Sequence, residues 1–151
     1  MHLPHIQPFD KDPFYFFTAC IEGRRPILNC EQAFDVLSGI WTRSAVHDGW
    51  FVGRFVLMPD HVHFFAMPSR ESRPMPEWHK MWKSVSARNL CRDLKLASPL
   101  WQADTFDHLL RNKKSYAEKW IYVCENPVRK GLVKTAAEWK WQGEINILKV
   151  E

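Results

Sequence analysis

The tripeptide His61-Val62-His63 is where residue type and spacing first suggest chemistry. In a β-strand, side chains i and i+2 share a face, so the two imidazoles would stand about 6 to 7 Å apart along the chain, near enough to share one metal ion. Val62 would then point the other way, into a core or a helix layer. The pair follows Pro59-Asp60 and precedes Phe64-Phe65 in a strongly apolar run. Two adjacent buried histidines without a ligand would be costly there. The plain alternative is two independent polar residues on an exposed strand face.

Tyr122 and Asn126 are spaced i, i+4 and lie on one face of a helix. A tyrosine hydroxyl, with a free pKa of about 10, is a poor nucleophile and needs a cation to polarise the phosphate it attacks. A metal held by His61 and His63 would do that, and the amide oxygen of Asn126 is a hard ligand suited to Mg²⁺ or Mn²⁺. Glu118, one turn before Tyr122, competes for that third position. Without such a partner, Tyr122 reads as an amphipathic core residue and Asn126 as a helix-ending residue ahead of Pro127. Tyr116 lies about 240° around the helix from Tyr122 and cannot share its face.

The elements that must position these residues follow from pattern. Pro13 to Ile21 reads as a buried first strand. A capping box, Asn29 with Gln32, opens a helix that ends near Asp48-Gly49. Trp50 to Met58 and His61 to Met67 are strands joined by Pro59-Asp60 in a tight hairpin. Glu77 to Leu96 is a second helix, the latter half of Leu100 to Leu110 a strand, and Lys113 to Asn126 a third helix that Pro127 stops. Trp139 and Trp141 pack back on the body. The order β-α-β-β-α-β-α predicts an α+β, ferredoxin-like antiparallel sheet with helices on one face.

Composition sets the frame for this plan. The chain has 151 residues, 46% hydrophobic and 25% charged, as expected of one globular domain spanning residues 1–151. No run approaches the roughly 18 apolar residues of a membrane span, and the polar start, Met1 to Asp12, is unlike a secretory leader. Cys20, Cys30, Cys91 and Cys124 form no CxxC pair, which argues against a zinc ribbon or redox motif and fits a reduced cytoplasm.

The net charge of +4 is unevenly spread: Glu77–Lys95 carries a surplus of three positive charges and Arg111–Lys134 a surplus of five. On the second helix Lys80, Lys83, Arg88, Arg92 and Lys95 fall within one half of the circumference. Lys113, Lys114, Arg129 and Lys130 bracket the tyrosine helix. This is the layout of a polyanion-binding face, although a solvated helix surface would look the same.

Three motifs in order, Leu57-Met58-Pro59-Asp60-His61-Val62-His63, Phe106-Asp107-His108-Leu109-Leu110-Arg111 and Tyr122-Val123-Cys124-Glu125-Asn126-Pro127-Val128-Arg129-Lys130-Gly131-Leu132-Val133, resemble those of the REP-associated tyrosine transposases. These belong to the HUH superfamily, named for two histidines around a hydrophobic residue. The resemblance runs from about Phe14 to Gly143. It implies that His61 and His63 are metal ligands, with Asn126 as the third, and that Tyr122 is the nucleophile. It further implies metal-dependent cleavage and rejoining of single-stranded DNA near hairpins, through a 5′-phosphotyrosine and a free 3′-OH, with Mg²⁺ or Mn²⁺. His108, Arg111, Lys80, Lys83, Arg88, Arg92, Arg129 and Lys130 would contact the DNA, a repetitive extragenic palindrome. The protein would be a bacterial, cytoplasmic, nucleoid-associated monomer or homodimer. The alternative is a non-catalytic nucleic-acid-binding module on the same ferredoxin-like plan.

Overall fold

The computed structural model describes residues 5–6 and 14–149. Pro13 and the polar start, apart from His5–Ile6, lie outside the described residues. The elements run β1 (His5–Ile6), β2 (Phe14–Ile21), α1 (Glu31–His47), β3 (Trp50–Met58), β4 (His61–Pro68), α2 (Met75–Leu94), β5 (Trp101–Leu110), α3 (Lys113–Cys124), α4 (Asn126–Arg129), β6 (Gln142–Glu144) and β7 (Ile147–Leu148). The main sheet has the order β5-β2-β4-β3-β6 with every neighbour antiparallel, and β1 pairs with β7 in a separate parallel ribbon. Its first four strands and the helices between them give the ferredoxin-like arrangement expected from the sequence.

The strands are apolar on both faces because both are covered. Phe17, Ala19 and Ile21 of β2 and Val62, Phe64 and Ala66 of β4 meet Leu37 and Trp41 of α1 and Trp78, Trp82 and Leu90 of α2. Trp50 stacks on Trp78 with ring centroids 4.6 Å apart and planes 1° from parallel. Phe14, Phe16, Phe65 and Met67 point to the other face, where Val123, Tyr116 and Trp120 of α3 pack on them. The helices therefore do not share one face, contrary to expectation. α1 and α2 each lie in a β-α-β crossover, and crossovers of one hand deliver both to the same side. α3 lies in no crossover; it follows β5 after Arg111 and Asn112 and folds back over the opposite side.

Local boundaries also differ. α1 starts after Cys30, which makes no side-chain cap, so the expected Asn29–Gln32 box does not form. α2 begins at Met75 with Pro76 in its first turn, where a missing N–H costs nothing. β5 occupies the whole of Trp101–Leu110, and β6 adds a strand the pattern did not announce. Trp139 and the Trp141 segment pack back as expected: the indole N–H of Trp139 donates to the Leu57 carbonyl at 3.0 Å, and the Leu57 N–H donates to that of Trp141 at 2.7 Å.

Lys83 is a correction to the basic face read on the second helix. It is buried, and its ammonium donates to the carbonyls of Gln102, Ala103 and Asp104 at 3.0, 3.3 and 3.2 Å. Charge arithmetic on one helix could not see these acceptors, which come from β5. Burial lowers the Lys83 pKa to about 8, despite the opposing pull of Asp104. The unfolded chain, with a lysine near its ordinary value, holds the extra proton between that pH and about 10.4, so stability contributed by this group rises with pH across the window and is flat below it. Urea unfolding should show this rise in the parent and not in Lys83→Met. That variant should also lose about 1 to 3 kcal/mol at pH 7 through its three orphaned carbonyls.

Candidate active site

The Pro59-Asp60 turn sets Met58 opposite His61, and β4 then carries His61 and His63 on the α3 side of the sheet, with Val62 buried on the other. Alternation along one strand is thus enough to separate ligand-type residues from the main core. The two imidazole centroids are 4.7 Å apart, with ring planes at 78°.

Hydrogen bonds fix the tautomer of each ring. Asp60 Oδ1 lies 2.7 Å from His61 Nδ1, and Arg24 Nε donates to Asp60 Oδ2 at 2.9 Å. Burial pulls the Asp60 carboxyl upward, but the bonds from Arg24 and His61 outweigh it and hold the pKa below the ordinary range. An ionised carboxylate only accepts, so His61 carries its proton on Nδ1 and presents a free lone pair on Nε2. His63 Nδ1 is 2.8 Å from Thr18 Oγ1, and its Nε2 lies 3.4 Å from Asn126 Nδ2. An amide N–H at Nε2 requires a lone pair there as well, so Nδ1 holds the proton and donates to Thr18. Burial lowers both pKa values, that of His63 to about 3, helped by His61, Lys119 and Arg129. Both rings are therefore neutral at neutral pH, the form that binds a metal.

Tyr122, on the last turn of α3, is 63% exposed. The guanidinium of Arg129 lies 3.9 Å from its ring centroid, and Arg129 Nη2 donates to the Tyr122 carbonyl at 2.6 Å. The chain leaves α3 at Glu125 and starts α4 at Asn126, so Tyr122 and Asn126 face one cavity across a helix junction, not along one helix. That cavity, about 440 Å³, is lined by His61, His63, Tyr122, Asn126, Arg129 and Lys130. The four residues singled out for chemistry and two of the predicted DNA contacts meet there. Among the described residues no group of three His, Cys, Asp or Glu is placed to hold a metal. The third donor on the cavity wall is the Asn126 amide; its nitrogen faces His63 Nε2 here, and with the amide turned over its oxygen beside two neutral imidazoles fits a divalent ion.

A second cavity of about 540 Å³ shares Tyr122 and includes His108, Arg111, Glu118 and Lys119. Glu118 lines this cavity and not the histidine one, which leaves Asn126 beside the rings. The remaining basic candidates are not brought together with the site. Lys80, Arg88 and Arg92 are exposed on α2, which packs on the opposite sheet face, and Arg92 pairs with Asp93 at 3.0 Å. Sequence reasoning missed Thr18 and Asp60, which orient the rings, and Lys119, whose ammonium sits 5.2 Å from the Phe16 ring centroid. Asp60 had a signal, a carboxylate adjoining a candidate ligand; Thr18 had none, because its partner is set by strand pairing.

The fold that brings these histidines and this tyrosine onto one sheet face is shared with solved structures described as transposases. In fold the chain is similar to a REP-associated tyrosine transposase bound to a REP hairpin, with a TM-score of 0.69 and 22% identity over 91% of this chain and 80% of that one. In sequence it is similar to the REP-associated tyrosine transposase of Escherichia coli strain K12, 26% identical over 126 residues, 83% of this chain and 72% of the relative. The resemblance carried by the three motifs is upheld by both. No family model matches the chain. Among the described residues no helix is long and apolar enough to cross a membrane.

Proposed function

We propose that this protein is a divalent-metal-dependent endonuclease and strand transferase that cuts and rejoins single-stranded DNA beside hairpins. The observation that carries the reading is the single cavity onto which two neutral imidazoles, Asn126 and Tyr122 open, with Arg129 and Lys130 on its rim. The REP-hairpin partner of the similar structure supports a hairpin substrate.

His61 Nε2, His63 Nε2 and, once its amide turns over and releases His63 Nε2, the Asn126 oxygen would hold Mg²⁺ or Mn²⁺, which when bound supplies positive charge against a phosphoryl oxygen. Tyr122 Oη attacks the phosphorus and gives up its proton, while the phosphorus–O3′ bond breaks and the 3′ oxygen takes a proton up. The products are a 5′-phosphotyrosine and a free 3′-OH. One phosphate diester replaces another, so attack by a 3′-OH reverses the step without ATP. Arg129 holds the tyrosine ring by stacking and, with Lys130, meets the DNA phosphates.

The test uses the protein, Mn²⁺ and hairpin-bearing single-stranded DNA from the host's repeated palindromes, run on a denaturing gel. A covalent protein–DNA adduct is the expected product; DNA binding without any adduct would overturn the enzyme in favour of the binding module. Asp60→Ala should weaken Mn²⁺ binding about 10- to 100-fold by calorimetry, because His61 loses the acceptor that fixes its tautomer.

A further inference from the structure

We propose that Phe106 is a stacking platform for a base of the single strand that enters the histidine–tyrosine site, an inference that rests on the function proposed above. Strand pairing places Phe106 of β5 opposite Thr18 of β2, and Thr18 opposite His63 of β4. Directly paired residues share a face, and the Thr18–His63 hydrogen bond marks that face as the one bearing the site. Leu110, four residues along β5 and so on the same side, packs with Phe14 and Phe65 there. Phe106 therefore stands two strand spacings, about 10 Å, from His63 on one open surface.

Its exposure needs a reason. Phe14, Phe16 and Phe65 on this face are 2%, 8% and 0% exposed, whereas Phe106 is 64% exposed. The packing of α3 covers the first three and leaves the fourth bare. Cations lie close by: His108, the next residue on that face of β5, lines a cavity with Arg111, Lys119 and Tyr122, in which Glu118 is the one acid. Arg129 and Lys130 lie across Tyr122 in the histidine cavity. A bare aromatic ring on the sheet face that also bears these cations suits an anionic polymer with a flat apolar group on each unit, which is a single-stranded nucleic acid. Free phosphate has no use for the ring, and base stacking on aromatics serves nucleic acids in this way on other open sheets. A nucleotide with its phosphate beside the histidines could lay its base on Phe106.

The probes are an oligothymidylate of about twenty nucleotides and an abasic deoxyribose-phosphate oligomer of the same length, which keeps the charge and lacks the bases. Phe106→Ala should weaken oligothymidylate binding about tenfold and leave the abasic oligomer within about twofold, because stacking acts only through a base. Phe106→Trp should bind as the parent does, and Phe106→Leu as the alanine variant does. Equal losses on both probes, no loss on either, or parent-like binding by the leucine variant would overturn the platform. A parent protein that binds both oligomers equally would overturn it too while leaving the phosphate contacts standing. If the parent binds neither, the nucleic-acid reading itself falls and takes the platform with it.

Discussion

Tyr122→Phe should abolish the covalent protein–DNA adduct, a loss of at least about a thousandfold, while single-stranded DNA binding stays near the parent value. Loss of the attacking oxygen removes the route to a covalent ester, and nucleophile deletions in other enzymes cost that much or more. The ring is 63% exposed, and the Arg129 guanidinium packs on its face, a contact phenylalanine keeps. Stability should therefore change by less than about 0.5 kcal/mol, as for surface substitutions generally. Denaturing gels read the adduct and thermal melts check the fold. An adduct that survives would assign the nucleophile elsewhere, and Tyr116 is a poor substitute: it packs edge-on against Phe14 and Phe65, and burial raises its pKa to about 12.

Removing either histidine should be almost as severe for cleavage. His61→Ala and His63→Ala are each expected to reduce adduct formation by at least about a hundredfold, with DNA affinity within about threefold, because the phosphate contacts proposed above are the cations and not the imidazoles. His63 also stacks on Phe16, with centroids 5.3 Å apart and planes at 22°, so its loss should cost some stability as well. His61→Ala is the cleaner comparison, and a urea melt of each variant separates the two effects. In a Mn²⁺-soaked crystal, anomalous scattering should place the ion between the two rings. A peak elsewhere, with none between them, would refute the site.

What could be read in advance follows from which signals are local. The His61/His63 alternation and the Pro59-Asp60 hairpin are written within a few residues, and the strands form as that pattern requires. Which sheet face α3 covers is not written in its own periodicity, because Tyr116, Trp120 and Val123 mark an apolar side of the helix and not the surface it meets. The same limit misassigned Lys83. A lysine among other cations on a helix looks solvated until a neighbouring strand supplies carbonyls. The pairing of His63 with Thr18 likewise spans distant parts of the chain and emerges only from register.

The lysine that leaves the basic surface also bears on how the protein behaves in a crowded solution. Among the described residues β5 is an outer strand, with β2 on one side and no further strand on the other. Such an edge is an open template on which a strand from another molecule can add, the first step towards aggregation. Over Gln102–Asp104 the acceptors that an incoming strand would need already belong to the Lys83 ammonium. A buried positive charge sits where a foreign amide would have to dock, so this stretch is closed to sheet extension without a covering helix or a proline.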